Sequence, residues 1–340
     1  MQQLMFLEPG RLEWQDTQEP ALEGPGEALV RPIVVANCDL DRTVVAGKAP
    51  IAGPFPIGHE FVAEVVEIGS QVRTVRNGDL VVVPWKIACG VCKRCAAGLP
   101  SNCNGVPDLA MYGLPLGGVW GSGLSDLVRV PFADAMLVPV PAGLSPETIA
   151  SAGDNLPDAW RTVAPPLQER PGAEVLVVGG SPSLGLYAAG MAVSLGAARV
   201  DYVDRSPERR AVAEELGARV FARTPDLKLN RYPITVDASA SPSGLVLALR
   251  STEPGGVCTS VSIFYFGEVP LPLLDMYTTG MTFKTGLCHA RSLIPAVLDH
   301  VRSGRFHPEK VTSRVVPWKD AAQAWQDLPT KVVVVRDGAL

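Results

Sequence analysis

The sequence has no surplus of positive charge. Its 340 residues carry 30 lysines and arginines against 35 aspartates and glutamates, a net charge of −5. Neutralising a phosphate backbone needs a basic excess, so nucleic acid and acidic membrane surfaces are not expected partners. The opening MQQLMFLEPGRLEW has no basic n-region and reaches Glu8 before any apolar run forms, so the expectation is no secretory leader and a cytoplasmic protein with reduced thiols. A disulfide framework is lacking too: of seven cysteines, four crowd between Cys89 and Cys103. No internal repeat is found. The uncharged stretch from Val175 to Ala198 imitates a membrane span, but Gly179-Gly180-Ser181-Pro182-Ser183 breaks it, which argues for strand, turn and helix.

What is present points to a globular enzyme-sized chain. Hydrophobic residues at 47% and charged residues at 19% exclude a disordered or fibrous protein, and the length suggests about two domains. The 33 glycines and 31 prolines require many turns. Up to residue 150 the chain reads as short β-runs (ALVRPIVVA, FVAEVVEIG, GDLVVVP, SDLVRV, AMLVPV). From 151 to 286 it changes to apolar strands alternating with helices, the signature of parallel βαβ units and an α/β fold: VLVV, LGLYAAGMAVSLG, RVDYVD, PERRAVAEELG, RVFA, ITVDAS, SGLVLALRS and GGVCTSVSI. Ser206 and Pro207 make an N-cap and first helical position. The segment 287–340 contains two amphipathic helices, LIPAVLDHVRSG and DAAQAWQDL, and a last strand, KVVVVR.

Two groups of residues carry metal chemistry. Cys89, Cys92, Cys95 and Cys103, inside a lobe spanning 86–105, can wrap one tetrahedral ion. Four soft thiolates suit zinc and leave no open position, so such a site is structural. The iron–sulfur alternative fits less well, because the ferredoxin motif brings its fourth cysteine and a following proline sooner. Cys38, His59 (followed by Glu60) and Asp154 are dispersed. A thiolate, an imidazole and a carboxylate leave one position for water or substrate, the composition of catalytic zinc. Each alone also reads as an ordinary structural histidine or turn aspartate.

VLVVGGSPSLGLYAAG places a glycine turn between a strand and a helix, the context of a dinucleotide-binding loop, where helix N–H groups hold pyrophosphate. With Gly180 first and Gly185 third, the middle glycine is replaced by Pro182. Asp204 ends the next strand, about twenty residues on, where an acid takes the adenosine ribose. It would repel a 2′-phosphate and so favours NAD, while Arg205, Arg209 and Arg210 keep NADP open.

The order of Cys38, Gly58-His59-Glu60 with Glu64, GDLVVV, the cysteine lobe, Asp154 and the βαβ unit resembles the zinc-dependent medium-chain dehydrogenase/reductase family, over nearly the whole chain. The resemblance implies a GroES-like catalytic domain made by 1–150 and 287–340, with a Rossmann domain, a doubly wound parallel sheet, inserted at 151–286. It implies reversible hydride transfer between a primary, secondary or polyol alcohol and NAD(P), the alkoxide stabilised by zinc, and a homodimer or homotetramer.

Carried onto this sequence, Cys38, His59 and Asp154 would be catalytic zinc ligands, with Glu60 alternating with water. Cys89, Cys92, Cys95 and Cys103 would hold a second zinc. Gly180, Ser181, Ser183, Leu184 and Gly185 would line the pyrophosphate, and Asp204 the ribose. Asp41 matches an acid that holds the ligand loop, and Cys258 and Cys288 are left as core thiols. Leu40 stands where many members have a hydroxyl that relays the proton, leaving Thr43 or a water chain through Glu60. Two alternatives remain: an aldehyde dehydrogenase or dismutase with tightly bound NAD, and a non-catalytic zinc scaffold of the same fold. Phe55, Trp85, Tyr112, Trp120 and Trp160 are either pocket walls or core, and VCTSVSI is the expected edge strand for dimerisation.

Overall fold

The computed structural model describes residues 1–222 and 232–338, so part of the expected middle domain, 223–231, lies outside the described residues. The chain forms two compact units. One comprises Met1–Pro157, Cys288–Gly304 and Thr312–Leu340, the other Asp158–Leu287 and Arg305–Val311.

In the first unit a seven-stranded sheet runs in the order Arg314–Pro317, Val332–Val335, Ala28–Ala36, Glu60–Ile68, Leu80–Val83 and Val138–Pro139, with Val128–Val130 also paired to Ala28–Ala36. A three-stranded sheet is built from Arg11–Asp16, Gln2–Glu8 and Phe55–Pro56. Register does the positioning. Ala36 lies opposite both Glu60 and Val333, each pair antiparallel. Residues just beyond these, Cys38, His59 and Lys331, therefore emerge at one end of the sheet despite their separation in sequence. Val30, Phe61, Val65, Tyr112, Leu124 and Trp325 are among the buried side chains of the core behind it.

In the second unit six strands run parallel in the order Arg219–Phe221, Val200–Val203, Val175–Val178, Tyr232–Asp237, Thr252–Ser260 and Thr282–Lys284. Numbered along the chain, this is 3-2-1-4-5-6, the doubly wound order whose reversal leaves a ligand crevice at the strand C-termini. Val175–Val178 is buried throughout, as a strand covered on both faces must be. The helix Leu184–Ser194 is buried from Leu184 to Ala192, which explains why its sequence imitated a membrane span. Among the described residues, no helix is long and apolar enough to cross a membrane. The Ser206 hydroxyl caps Pro207–Glu215 by accepting from Arg209 N at 3.1 Å.

Two readings of local structure are corrected and one helix is added. AMLVPV is not one strand. Ala133–Met136 is a helical turn, tied down where Asp134 accepts from Arg73 N and Thr74 N, and only Val138–Pro139 pairs in the sheet. The segment after Asp154, to which the sequence pattern assigns no element, is the helix Asn155–Glu169. Pro157 falls in its first turn, where a missing N–H costs little. VCTSVSI is not the edge strand, since Thr252–Ser260 has Thr282–Lys284 paired outside it.

Candidate active site and dinucleotide cleft

Cys38 is the N-cap of the short helix Asp39–Val45. Its Sγ accepts from Leu40 N at 3.5 Å, and its own N–H donates to Asp41 Oδ2 at 2.9 Å, the reciprocal arrangement of a capping box. This cap fixes the thiol at the sheet end. His59 follows Gly58, whose φ of 103° demands a residue without Cβ. There the imidazole meets the thiol and Asp154.

Cys38 Sγ donates to Asp154 Oδ2 at 3.1 Å, and His59 Nε2 lies 3.5 Å from the same oxygen. One donor atom from each of the three lies within 4.8 Å of the others. Bonds of about 2.0–2.3 Å to a tetrahedral ion would set donor atoms roughly 3.3–3.8 Å apart, so the spacing suits zinc after small adjustment. The other imidazole nitrogen, Nδ1, faces Asp41 Oδ1 at 3.7 Å, an attraction too long for a hydrogen bond. It matches the carboxylate that commonly orients a metal-binding imidazole.

Electrostatics point the same way. Burial, with Asp154, Glu60 and Asp41, pushes the Cys38 thiol well above its ordinary range. Burial opposes charge on His59, but Asp41, Asp154 and Glu60 outweigh it and hold its pKa near 9. Burial, partly offset by Lys331, raises Glu60 to about 7. Without metal, the site therefore holds protons on the thiol and the imidazole among three acids. A divalent cation replaces such protons with charge of the same sign.

Glu60 does not touch Cys38 or His59 by hydrogen bond. It is held by Asn155 N at 2.6 Å, Ser151 Oγ at 3.2 Å and Lys331 Nζ at 3.1 Å. Lys331, completely buried, also donates to Asn155 Oδ1 at 2.8 Å and to the Asn37 carbonyl. Asn155 Nδ2 donates to Cys38 Sγ at 3.2 Å, so one amide joins the lysine to the thiol. Sequence reasoning missed Asn37, Ser151, Asn155 and Lys331. The one available signal was a lysine opening an all-valine strand, which by itself reads as a strand-end solvent group.

Thr43 lies half-buried on the Cys38-capped helix, and Leu40 packs against the apolar core. Phe55 and Tyr112 are core residues, paired with Phe6 at 5.0 Å and Phe61 at 5.8 Å. Trp85 and Trp120 pack against the same core, and Trp160, on the helix Asn155–Glu169, is buried.

The four lobe cysteines also converge, with sulfur atoms 3.8 Å apart for Cys92–Cys103 and 3.5 Å for Cys103–Cys89. Backbone N–H groups of Cys95 and Asn104 point at Cys92 Sγ and lower its pKa to about 6. That preference for the thiolate is what a zinc ligand requires. Cys258 and Cys288 are buried singly, and burial raises the Cys258 thiol to about 12.

In the second unit a cleft of about 960 Å³ opens at the strand ends, lined by Gly179, Gly180, Asp204, Arg205, Arg209, Arg210, Ser239 and Ser241 among others. Gly180 has φ 154°, and a Cβ there would fall 2.4 Å from the Ser239 carbonyl oxygen, so glycine is required. Ser181, Ser183, Leu184 and Gly185 are not on this wall. Ser183 is buried, and Gly185 packs where a Cβ would sit 3.3 Å from the Tyr202 ring. Asp204 Oδ1 accepts from Ser206 N and Arg209 Nη2, at 2.8 and 2.7 Å. Its Oδ2 accepts from Tyr202 OH and Arg209 Nε at the same two distances. Burial opposes this charge, yet Arg209 and Ser206 N hold the carboxyl below its ordinary pKa. Gly179, Ser239 and Ser241 were not anticipated as wall residues.

A parallel sheet with a glycine turn at its switch point, in one chain with a Cys–His–Asp donor set, defines a metal-dependent, nucleotide-linked oxidoreductase. Residues 24–142 match the alcohol dehydrogenase GroES-like domain, and 183–303 match the zinc-binding dehydrogenase domain. A probable zinc-binding alcohol dehydrogenase of Mycobacterium tuberculosis is 30% identical over 90% of this chain and 80% of its own. An NADP-dependent isopropanol dehydrogenase of Thermoanaerobacter brockii is 30% identical over 93% and 92%. Among solved structures, the alcohol dehydrogenase of Thermus sp. ATN1 superposes with a TM-score of 0.90 at 31% identity, covering 99% of this chain and all of that one. The chain belongs to the zinc-dependent medium-chain dehydrogenase/reductase family.

Proposed function

We propose that this zinc-dependent alcohol dehydrogenase holds its catalytic zinc through Cys38, His59 and Asp154, with Glu60 as an alternate ligand exchanging with water. The observation that carries this reading is the convergence of a thiol, an imidazole and a carboxylate, all within 4.8 Å and each tied to a separate element. When bound, zinc supplies the Lewis acid that eases loss of the hydroxyl proton, and the dinucleotide supplies the hydride acceptor. Asp41 orients His59, and Lys331, Asn155 and Ser151 hold Glu60. Leu40 cannot carry a proton, which leaves Thr43 or water along Glu60 for that task. Cys89, Cys92, Cys95 and Cys103 hold a second, structural zinc.

In the nucleotide domain, assigned to 151–286, Gly180 serves the pyrophosphate directly, Ser181, Ser183, Leu184 and Gly185 shape the turn behind it, and Asp204 and Arg205 lie at the adenosine ribose. The anionic Asp204 favours NAD. Replacing it by Ala leaves Arg205, Arg209 and Arg210 on the cleft wall and is expected to shift the preference toward NADP, read as the ratio of kcat/KM for the two cofactors. A primary or secondary alcohol or polyol is the substrate, the assembly is a homodimer or homotetramer, and free cysteines suit the cytoplasm.

Purified protein carrying two zinc ions per chain should reduce NAD or NADP with members of an alcohol panel and oxidise NADH or NADPH with the matching carbonyls. A zinc-loaded protein that turns over neither cofactor defeats the proposal. Cofactor that survives dialysis would mark the dismutase alternative, and one zinc without dinucleotide binding would mark the scaffold.

A further inference from the structure

Lys86 is not used by either zinc site or by the dinucleotide cleft. It is 4% exposed, yet its ammonium has no hydrogen-bond partner among the described residues. The contact it makes is with the Trp85 ring, 5.1 Å from Nζ to the centroid. An ammonium stripped of water and left without an acceptor is costly, and the ring face returns only part of that cost.

Lys86 is also among the residues lining a cavity of about 370 Å³ on the cysteine lobe, with Arg94, Ser101, Asn102, Cys103, Asp108 and Ala110. Arg94 spends one arm on the Asn102 carbonyl at 3.1 Å, leaving further donors of its fork available. Ser101 is committed, its hydroxyl donating to the Cys288 carbonyl. Lys86 and Arg94 meet one carboxylate there, the exposed Asp108, and the lobe cysteine Cys103 at the cavity wall; Asp108 lessens but does not reverse the cost of burying Lys86. Burial lowers the Lys86 pKa to about 8, against Asp108, so the group remains mostly charged at neutral pH.

We propose that this cavity is a second ligand site, separate from the catalytic one, which takes a small phosphate-type oxyanion between Lys86 and Arg94. A dianion supplies the acceptor that Lys86 lacks and suits the planar donor fork of arginine. The cavity volume leaves room for a small organic group attached to the phosphate.

Zinc-replete protein is titrated with inorganic phosphate by calorimetry and by thermal melting, with chloride at equal ionic strength as control. Wild-type protein should bind phosphate and melt higher in it. Lys86→Met should weaken binding roughly 10- to 100-fold, the loss expected for a charge-assisted hydrogen bond. Lys86→Arg should retain it. Arg94→Gln, a change at an exposed residue that leaves the core intact, should also weaken binding, so the test survives a misfolded Lys86 variant. Wild-type protein that does not distinguish phosphate from chloride overturns the proposal, as does equal affinity in all variants. Loss of lobe zinc from Lys86→Met with phosphate affinity unchanged also overturns it, because Lys86 would then serve as counter-charge to the thiolates.

Discussion

Lys331 shows how one residue can decide whether a site is tolerable. Its ammonium is the cation against which the buried Glu60 carboxyl is set, and it also satisfies Asn155 and the Asn37 carbonyl. Lys331→Met should leave Glu60 buried without its partner and cost about 3–5 kcal/mol, the usual penalty for breaking a buried pair from one side. Urea unfolding of the metal-free protein measures it. A loss below about 1 kcal/mol would mean that Glu60 simply takes up a proton there. Asp204 gives the opposite pH signature to a group stabilised by protonation. Its folded pKa is depressed, so its contribution is present above its unfolded value near 4 and is lost as pH falls through the folded value. Asp204→Asn should therefore be less stable than wild type at pH 7, with the gap narrowing as pH falls below about 4.

At the scale of elements, the strand–turn–helix from Val175 to Ser194 joins local sequence to ligand geometry. A Cβ at residue 180 would meet a backbone carbonyl, which cannot swing aside as a flexible side chain could. Gly180→Ala should lower dinucleotide affinity by tenfold or more while leaving zinc content unchanged, read by quenching of protein fluorescence and by metal analysis. Unchanged affinity would place the pyrophosphate elsewhere. This element was legible in advance because every signal in it is local: an apolar strand, a glycine turn and an apolar helix. AMLVPV was misread because Asp134, reached from Arg73 and Thr74 some sixty residues away, pins a helical turn into it. Asn155–Glu169 was left unassigned: its prolines interrupt the local helical pattern, although Pro157 stands in the first turn where it is tolerated.

For the whole molecule, the two donor sets should part with metal differently. The four-thiolate lobe is closed, whereas the Cys38–His59–Asp154 set leaves a position for an incoming ligand. A chelator such as dipicolinate should remove one zinc per chain first, with loss of activity and little change in melting temperature. Removal of the second should be slower and accompanied by unfolding of the lobe. Simultaneous loss of both metals with activity would contradict the division of roles.

Short stretches of sequence carry the available chemistry and the succession of strands and helices. Metal-ligand types, cysteine spacing, the glycine turn and the acid after the second nucleotide-unit strand are properties of short segments, and short segments carry them unaided. Tertiary packing alone sets Lys331, Asn155 and Ser151 on Glu60 with Asn37 accepting from Lys331, clamps Asp204 between Arg209 and Tyr202, and buries Lys86 without an acceptor among the described residues. Ala36 must face Glu60 on one side and Val333 on the other before those groups can meet, and such a register is set by the packing of a whole sheet against its core.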